Sequence, residues 1–246
     1  MTFDITIPVL NEEETLRQNV EALRSFLLAN FPDTEQWRIV IADNGSTDQT
    51  PVITQALERD YPDQVVGILI PRKGVGLALK TSWSKSNADI VGYMDLDLAT
   101  DLPHFLEAYH ALAKEDYDIV YGTRLHPKAK VIGRTWKREI SSRGFNQILK
   151  LYLGVGFSDG MCGFKFLKRP LFPSLFRYGA QNDGWFFSTE LLTVGEWLNY
   201  KLYELPVKWT DDGSSKVKII PLAKKYLKSM YELKEKRKAA RSQITQ

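Results

Sequence analysis

Cysteine and histidine are scarce in this 246-residue chain, which has one Cys, Cys162, and three His, His104, His110 and His126. A lone thiol cannot close an internal disulfide, which fits a reducing compartment. Three separated imidazoles leave little material for a His-rich metal site or a Ser-His-Asp triad. Long apolar runs are missing too. None approaches the ~18 residues needed to cross a bilayer, and no basic leader precedes the first strand pattern, so neither a span nor a signal peptide is expected. Internal repeats and low-complexity linkers are also lacking. The expectation is one α/β domain over residues 1–218, followed by a basic amphipathic tail over 219–246.

Acidic residues thin out only near the C-terminal end. Residues 216–241 hold ten Lys/Arg against Glu232 and Glu235, a local net of +8, so the rest of the chain carries −5 within the formal total of +3. A local basic block suits an anionic surface better than it suits a nucleic-acid-binding fold. The block also lacks the aromatic interleaving of single-strand binders, so nucleic acid is not an expected partner. From Pro221 onward, Leu222, Tyr226, Met230 and Leu233 recur on one helical face, with Lys224, Lys225 and Lys228 on another. Two uses fit such a helix equally: lying on an anionic leaflet, or packing its apolar side on the protein.

The remaining chain alternates strands and helices. Strand patterns fall at residues 3–9, 38–42, 65–70, 90–94 and 118–122. Between them lie helical patterns: Leu16, Val20, Leu23 and Leu27; Val52, Ala56 and Leu57; residues 76–86; and residues 102–114, with Phe105, Leu106, Tyr109 and Leu112 on one side. This alternation predicts a mainly parallel, doubly wound sheet, whose ligands sit outside the carboxyl ends of the strands. A basic loop over 126–137, a helix from about residue 138 to 153, a glycine-containing segment over 154–165, a helix beginning near Glu190 and a strand over 201–209 follow.

The polar clusters fall at those strand ends. Asp95, Asp97 and Asp101 lie within seven residues, just after the apolar run 90–94. They read either as a strand end followed by a helix cap at Asp101, or as a site for a hard, oxygen-preferring ion such as Mg²⁺ or Mn²⁺. Asp43-Asn44-Gly45-Ser46-Thr47-Asp48 alone is a turn and cap, yet two acidic strand tips, at Asp43 and Asp95, are costly unless something positive or hydrogen-bonding lies between them. A nucleotide suits, with Asp43 accepting from the base and Asp95 and Asp97 holding a metal on the diphosphate. Gly74-Val75-Gly76 lacks the third glycine of a dinucleotide fingerprint and follows the third strand rather than the first. Beside Arg72 and Lys73, Gly74 marks either a place for a phosphate or sugar, or a tight turn.

Taken in order, Pro8-Val9-Leu10-Asn11-Glu12, Ala42-Asp43-Asn44-Gly45-Ser46-Thr47-Asp48, Asp95-Leu96-Asp97 and Gly122-Thr123-Arg124 resemble the family 2 glycosyltransferases of GT-A fold. Lys137-Arg138-Glu139-Ile140-Ser141-Ser142-Arg143, Ser158-Asp159-Gly160-Met161-Cys162-Gly163-Phe164-Lys165 and Asn182-Asp183-Gly184-Trp185-Phe186-Phe187 are similar to the branch that makes polyprenyl- or dolichyl-phosphate sugars. The resemblance spans residues 3–218. It implies that Pro8, Asn11, Glu12 and Ser46 lie around the nucleotide, that Asp43 reads the base, and that Asp95 and Asp97 contact ribose and metal. Mannose-transferring members follow the second Asp with Leu-Gln, whereas this chain has Leu98-Ala99, which leaves the third protein ligand open between Thr100, Asp101 and water. Ser188 stands where relatives carry Asp.

The activity so implied is inverting transfer of a hexose from a nucleotide sugar, UDP-glucose rather than GDP-mannose, to polyprenyl or dolichyl phosphate, with a divalent metal. An ionised phosphate acceptor, with a second pKa near ~6, needs no strong base but does need cations. Arg124, Arg138, Arg143, Lys165 and Lys216 are the candidates, and Asp159 would position the acceptor or orient a basic residue. A cytoplasmic enzyme, peripheral at the inner face of the membrane, is expected, with a membrane-protein partner left open. Two alternatives stand beside it. One is transfer to a sugar hydroxyl in polysaccharide synthesis, with Asp159 as base; the other is a non-catalytic nucleotide-sugar-binding protein.

Overall fold

The computed structural model describes residues 1–31, 33, 36–211 and 219–244, without the side chains of 219–224 and 238–244. Its first strand, β1 (Phe3–Val9), shows how the chain is partitioned. Phe3, Ile5, Ile7 and Val9 alternate onto one face of the sheet, where they join a core with Leu16, Val20, Leu23 and Leu27 of α1 (Leu16–Asn30). Period two on the strand meets a 4–3–4 stripe on the helix, so both elements bury their apolar sides in one layer.

The same logic repeats through β2 (Trp37–Asp43), α2 (Thr50–Asp60), β3 (Val65–Leu69), α3 (Val75–Lys85) and β4 (Ile90–Met94). It continues through α4 (His104–Ala113) and β5 (Ile119–Thr123). Among the described residues seven strands form the main sheet, in the order β3-β2-β1-β4-β7-β5-β8. The crossover from β3 returns past β1 to β4, so the chain's winding reverses between β1 and β4. An α/β sheet opens its ligand crevice at such a point, at the carboxyl ends of the strands.

On the second face lies another core, built around Leu79, Trp83, Val91 and Tyr93, with side chains from three later helices: α5 (Trp136–Leu153), α6 (Phe172–Arg177) and α7 (Phe187–Trp197). The C-terminal helix, α8 (Ile219–Ile244), completes it by burying Tyr226, Met230 and Leu233. The apolar stripe of this basic helix therefore packs on the protein. Among the described residues no helix is long and apolar enough to cross a membrane.

Several details depart from the sequence pattern. The segment expected as a glycine-containing loop ends in a strand, β7 (Phe164–Lys168), which runs antiparallel between β4 and β5. Phe164 and Phe166 face the first core and Leu167 the second, while Lys165 interrupts the apolar pattern and hides it. In α4 the buried face is Phe105, Ala108, Ala111 and Leu112, and Leu106, expected inside, is exposed because it sits about 100° around the helix from Phe105. The strand over 201–209 divides at Val207 into β8 (Leu202–Pro206), parallel to β5, and β9 (Lys208–Thr210). The latter pairs with β6 (Lys130–Ile132), which lies inside the expected basic loop.

Candidate active site

At the carboxyl ends of β1 and β2 the loops are locked together. Asn11, in the left-handed region at φ 55°, receives a hydrogen bond at its Oδ1 from the Thr47 N–H (2.8 Å) and donates its own N–H to Ser46 Oγ (2.9 Å). Glu12 donates its N–H to Thr50 Oγ1 (2.8 Å). Ser46 N–H binds Asp43 Oδ1 (2.8 Å), and Gly45 takes φ 82°, which favours glycine, to let that turn close. Asp43 is 2% exposed, and among the described residues its second oxygen, Oδ2, has no hydrogen-bond partner; neither has Asn44 Oδ1 beside it. A buried acceptor without a donor costs free energy, a cost that a ligand carrying N–H groups would relieve at the end of β2. Pro8 is paired in β1 opposite Ala42.

Across the crevice, β4 delivers Asp95 and Asp97. Asp95 is half-buried, and its carboxylate accepts no hydrogen bond and forms no ion pair among the described residues. Burial, and then the charge of Asp97, push it up to about 7. Gly163, immediately before β7, allows this placement: a Cβ there would overlap the Asp95 carboxylate. The exposed Asp97 accepts the Ala99 N–H through Oδ1 (3.0 Å). A carboxylate whose proton affinity is raised by its neighbour Asp97, with no paired cation at Asp95 among the described residues, fits a divalent ion. No group of three or more His, Cys, Asp or Glu converges on a metal position among the described residues, so the rest of the coordination would come from diphosphate and water. Asp101, offered as a third ligand or a helix cap, instead pairs with Lys208 (2.7 Å), and α4 starts without a side-chain cap. The bridge of Thr100 to Trp209 draws Lys208 over Asp101 and explains that choice.

A cationic wall closes the other side. Arg124, following β5, clasps Asp159 with Nε to Oδ2 (2.8 Å), Nη2 to Oδ1 (3.0 Å) and its own N–H to Oδ2 (3.2 Å), and Met161 N–H adds a fourth bond (3.0 Å). Burial pushes the fully buried Asp159 carboxyl up, but the charge and bonds of Arg124 outweigh it and leave it at about 2. The guanidinium of Arg124 is correspondingly raised above its ordinary value: burial opposes this, and Asp159 more than compensates. Its flat face lies 5.3 Å from the Trp209 ring. Lys165, fully buried in β7, donates to the Cys162 carbonyl (2.6 Å) and is lowered to about 8 by burial. Arg138 forms an ion pair with Asp211, whereas the exposed Arg143 pairs with Glu139 along its own helix (2.6 Å). Lys216 lies outside the described residues.

Sequence reasoning missed Arg134. It is buried beside Arg124 and Arg138, and one nitrogen lies 3.1 Å from Glu139 at an angle that makes no hydrogen bond. Burial, and then the charge of Arg124, push its pKa down. Its only signal in the sequence was membership of the basic loop.

Gly74 and Gly76 do something other than cradle an anion within the chain. A Cβ on Gly74 would lie 2.5 Å from the Asp183 carbonyl oxygen, and one on Gly76 would overlap the Asn182 carbonyl and stand 2.6 Å from Phe187 Cβ. The turn is thus pressed onto residues 182–184, and the Leu77 N–H at the start of α3 is taken by the Asp183 carbonyl (3.1 Å). Asp183 also holds Arg72 (2.8 Å) and Lys80 (2.7 Å), and Lys73 is left exposed.

Paired acids at the end of the fourth strand, an acceptor without a partner among the described residues at the end of the second and a cationic wall opposite are carried on a sheet wound in the order of GT-A architecture. The glycosyl transferase family 2 model matches residues 4–176, so the chain belongs to that family and is a glycosyltransferase. Glycosyltransferase AglD of Haloferax volcanii is 32% identical over 226 residues, which cover 88% of this chain and 34% of AglD. This chain thus spans about a third of that relative. Dolichyl-phosphate beta-glucosyltransferase of Drosophila melanogaster is 27% identical over 227 residues, covering 88% of this chain and 69% of that protein. Among solved structures, glucosyl-3-phosphoglycerate synthase from Mycobacterium tuberculosis in complex with Mn²⁺, UDP-glucose and phosphoglyceric acid superposes with a TM-score of 0.66. That match has 18% identity and covers 94% of this chain and 79% of that one. It is a likeness of fold.

Proposed function

We propose that this glycosyltransferase moves glucose, with inversion, from UDP-glucose to dolichyl or another polyprenyl phosphate, at the inner face of a membrane. The observation that carries the acceptor class is the state of Asp159. With both carboxylate oxygens engaged by Arg124 and a pKa held at about 2, it is a poor proton acceptor. A sugar-hydroxyl acceptor needs a base to take its proton, whereas a phosphate arrives ionised. The relatives named as dolichyl-phosphate beta-glucosyltransferases support the same acceptor and the same sugar.

In this reading an acceptor phosphate oxygen attacks the anomeric carbon from the face opposite the diphosphate, and the bond from that carbon to the diphosphate oxygen breaks. Asp43 Oδ2 accepts from the base. Asp95 and Asp97 would hold Mg²⁺ or Mn²⁺, which would supply positive charge to offset that gained by the diphosphate leaving group. Arg124, Arg134 and Arg138 lower the repulsion between the acceptor dianion and the diphosphate, and Asp159 serves as the positioning residue that aims Arg124.

The deciding experiment supplies the protein and Mn²⁺ with labelled UDP-glucose or GDP-mannose, and with polyprenyl phosphate or soluble sugars as acceptor. Label from UDP-glucose should enter the lipid fraction as a β-linked product. Label that reaches only soluble sugars, or none at all, rejects the reading, and a response to GDP-mannose alone reverses the donor.

A further inference from the structure

The helix that follows the cationic wall, α5, has two apolar sides. One, through Asn146, Leu149 and Leu153, faces the protein. On the other, Trp136, Ile140, Ile148 and Leu151 fall within an arc of about 120° at 100° per residue, and they stand in solvent, with Trp136 69% and Leu151 78% exposed. Gly144 lies inside the arc, and a Cβ there would meet nothing within 4 Å. Beside it runs α8, joined to α5 by the Phe145–Tyr226 ring contact (5.3 Å) and by Lys234, which donates to the Tyr152 carbonyl (3.1 Å). Leu227 and Tyr231 share the stripe of α8 that carries Lys234 and are themselves exposed, so the apolar surface continues across both helices.

Isolated exposed apolar residues are ordinary, but six large ones on two adjoining helices are a patch with a purpose. The charges in and around it choose the occupant. Exposed Lys137 falls within the arc, Arg143 and Lys150 line its edge, and exposed Lys228 stands beside Leu227. Lysine is depleted from protein–protein interfaces. Helices that lie in a bilayer interface instead set Trp, Leu and Ile against Lys and Arg, whose heads meet anionic headgroups. The patch also begins next to Arg134 and Arg138.

We propose that this two-helix face docks the enzyme on an anionic lipid bilayer, with α5 lying in the interface and the basic residues at headgroup level. The inference rests on the lipid-phosphate reading for its purpose, since an acceptor phosphate at the bilayer surface would then enter beside Arg134 and Arg138. The apolar stripe of α8, buried in the core, is not the inserted element.

Co-sedimentation with vesicles tests docking without donor or acceptor. The protein should partition onto phosphatidylcholine vesicles doped with phosphatidylglycerol, and less onto phosphatidylcholine alone. The triple variant W136A/I140A/L151A should lose about tenfold or more of that partitioning while keeping the wild-type thermal melt and Mn²⁺-dependent UDP binding. K137E/K150E should lose only the preference for the anionic lipid. Equal binding by wild type and triple variant overturns the proposal. So does failure of the wild type to bind either vesicle, including the case in which the patch proves to pair two copies of the chain. Binding of vesicles without transfer to polyprenyl phosphate embedded in them leaves the docking surface standing and rejects the acceptor instead.

Discussion

Asp95 is the residue at which structure and chemistry meet most directly. Its carboxyl is pushed up to about 7 from an ordinary 3.8 by burial and by Asp97. A raised acid pKa means that the folded protein holds an extra proton between about pH 4 and pH 7, so this group's contribution to stability falls as pH rises through that window and is level above it. A cation bound there requires the ionised form, so metal-dependent donor binding should run the other way. Calorimetric titration with UDP-glucose and Mn²⁺ should show affinity weakening by up to about tenfold for each pH unit below 7, as one proton competes. Asp95→Asn should bind weakly at every pH. A wild-type affinity that is flat from pH 6 to 8, across the Asp95 pKa of about 7, would remove Asp95 from the metal site. The sequence made Asp95 visible because an acid at the tip of an apolar run is conspicuous. Arg134 was not visible, since only the folded chain turns one arginine of a basic loop inward beside Arg124.

At the scale of elements, the parallel half of the sheet was legible because each strand carries its own alternation and each helix its own stripe. The antiparallel strand β7 was not. Its charge at Lys165 is buried by partners more than forty residues away in β4 and β5, which no local window reports. Yet β7 shapes the site: its backbone meets β4 so closely that Asp95 N–H bonds the Gly163 carbonyl (3.2 Å) and only hydrogen fits at the Gly163 Cα. Gly163→Ala should therefore displace the Asp95 carboxylate or push the two strand ends apart. The expected result is a loss of about tenfold or more in Mn²⁺-dependent UDP-glucose affinity, with a stability cost of about 1–3 kcal/mol typical of overpacking. Calorimetry beside urea unfolding would separate the two effects. Unchanged metal-dependent binding would mean that the contact is not needed to place the carboxylate.

For the molecule as a whole, the basic helix α8 matters in two ways. Its basic composition suggested a tail, but Tyr226, Met230 and Leu233 are 3%, 1% and 0% exposed and complete the second core with Phe145 and Phe186. Burial of a Met or Leu side chain contributes about 1.5–3 kcal/mol, against a total stability of about 5–15 kcal/mol for a domain. Removing residues 219–246 should therefore cost a large fraction of the whole, and single changes should scale with burial. Leu233→Ala should cost about 2–5 kcal/mol, whereas the exposed Leu227→Ala should stay within about 0.5 kcal/mol. Tyr226→Phe should be neutral or stabilising, because the buried Tyr226 hydroxyl has no hydrogen-bond partner among the described residues and its deletion removes an unmet donor. Urea unfolding of these four variants beside the full-length chain orders them. A truncated chain as stable as the full one would show α8 to be an appendage; the predicted order would show that the same helix closes the core with one side and, through Leu227 and Tyr231, extends the outer face of α5 with the other.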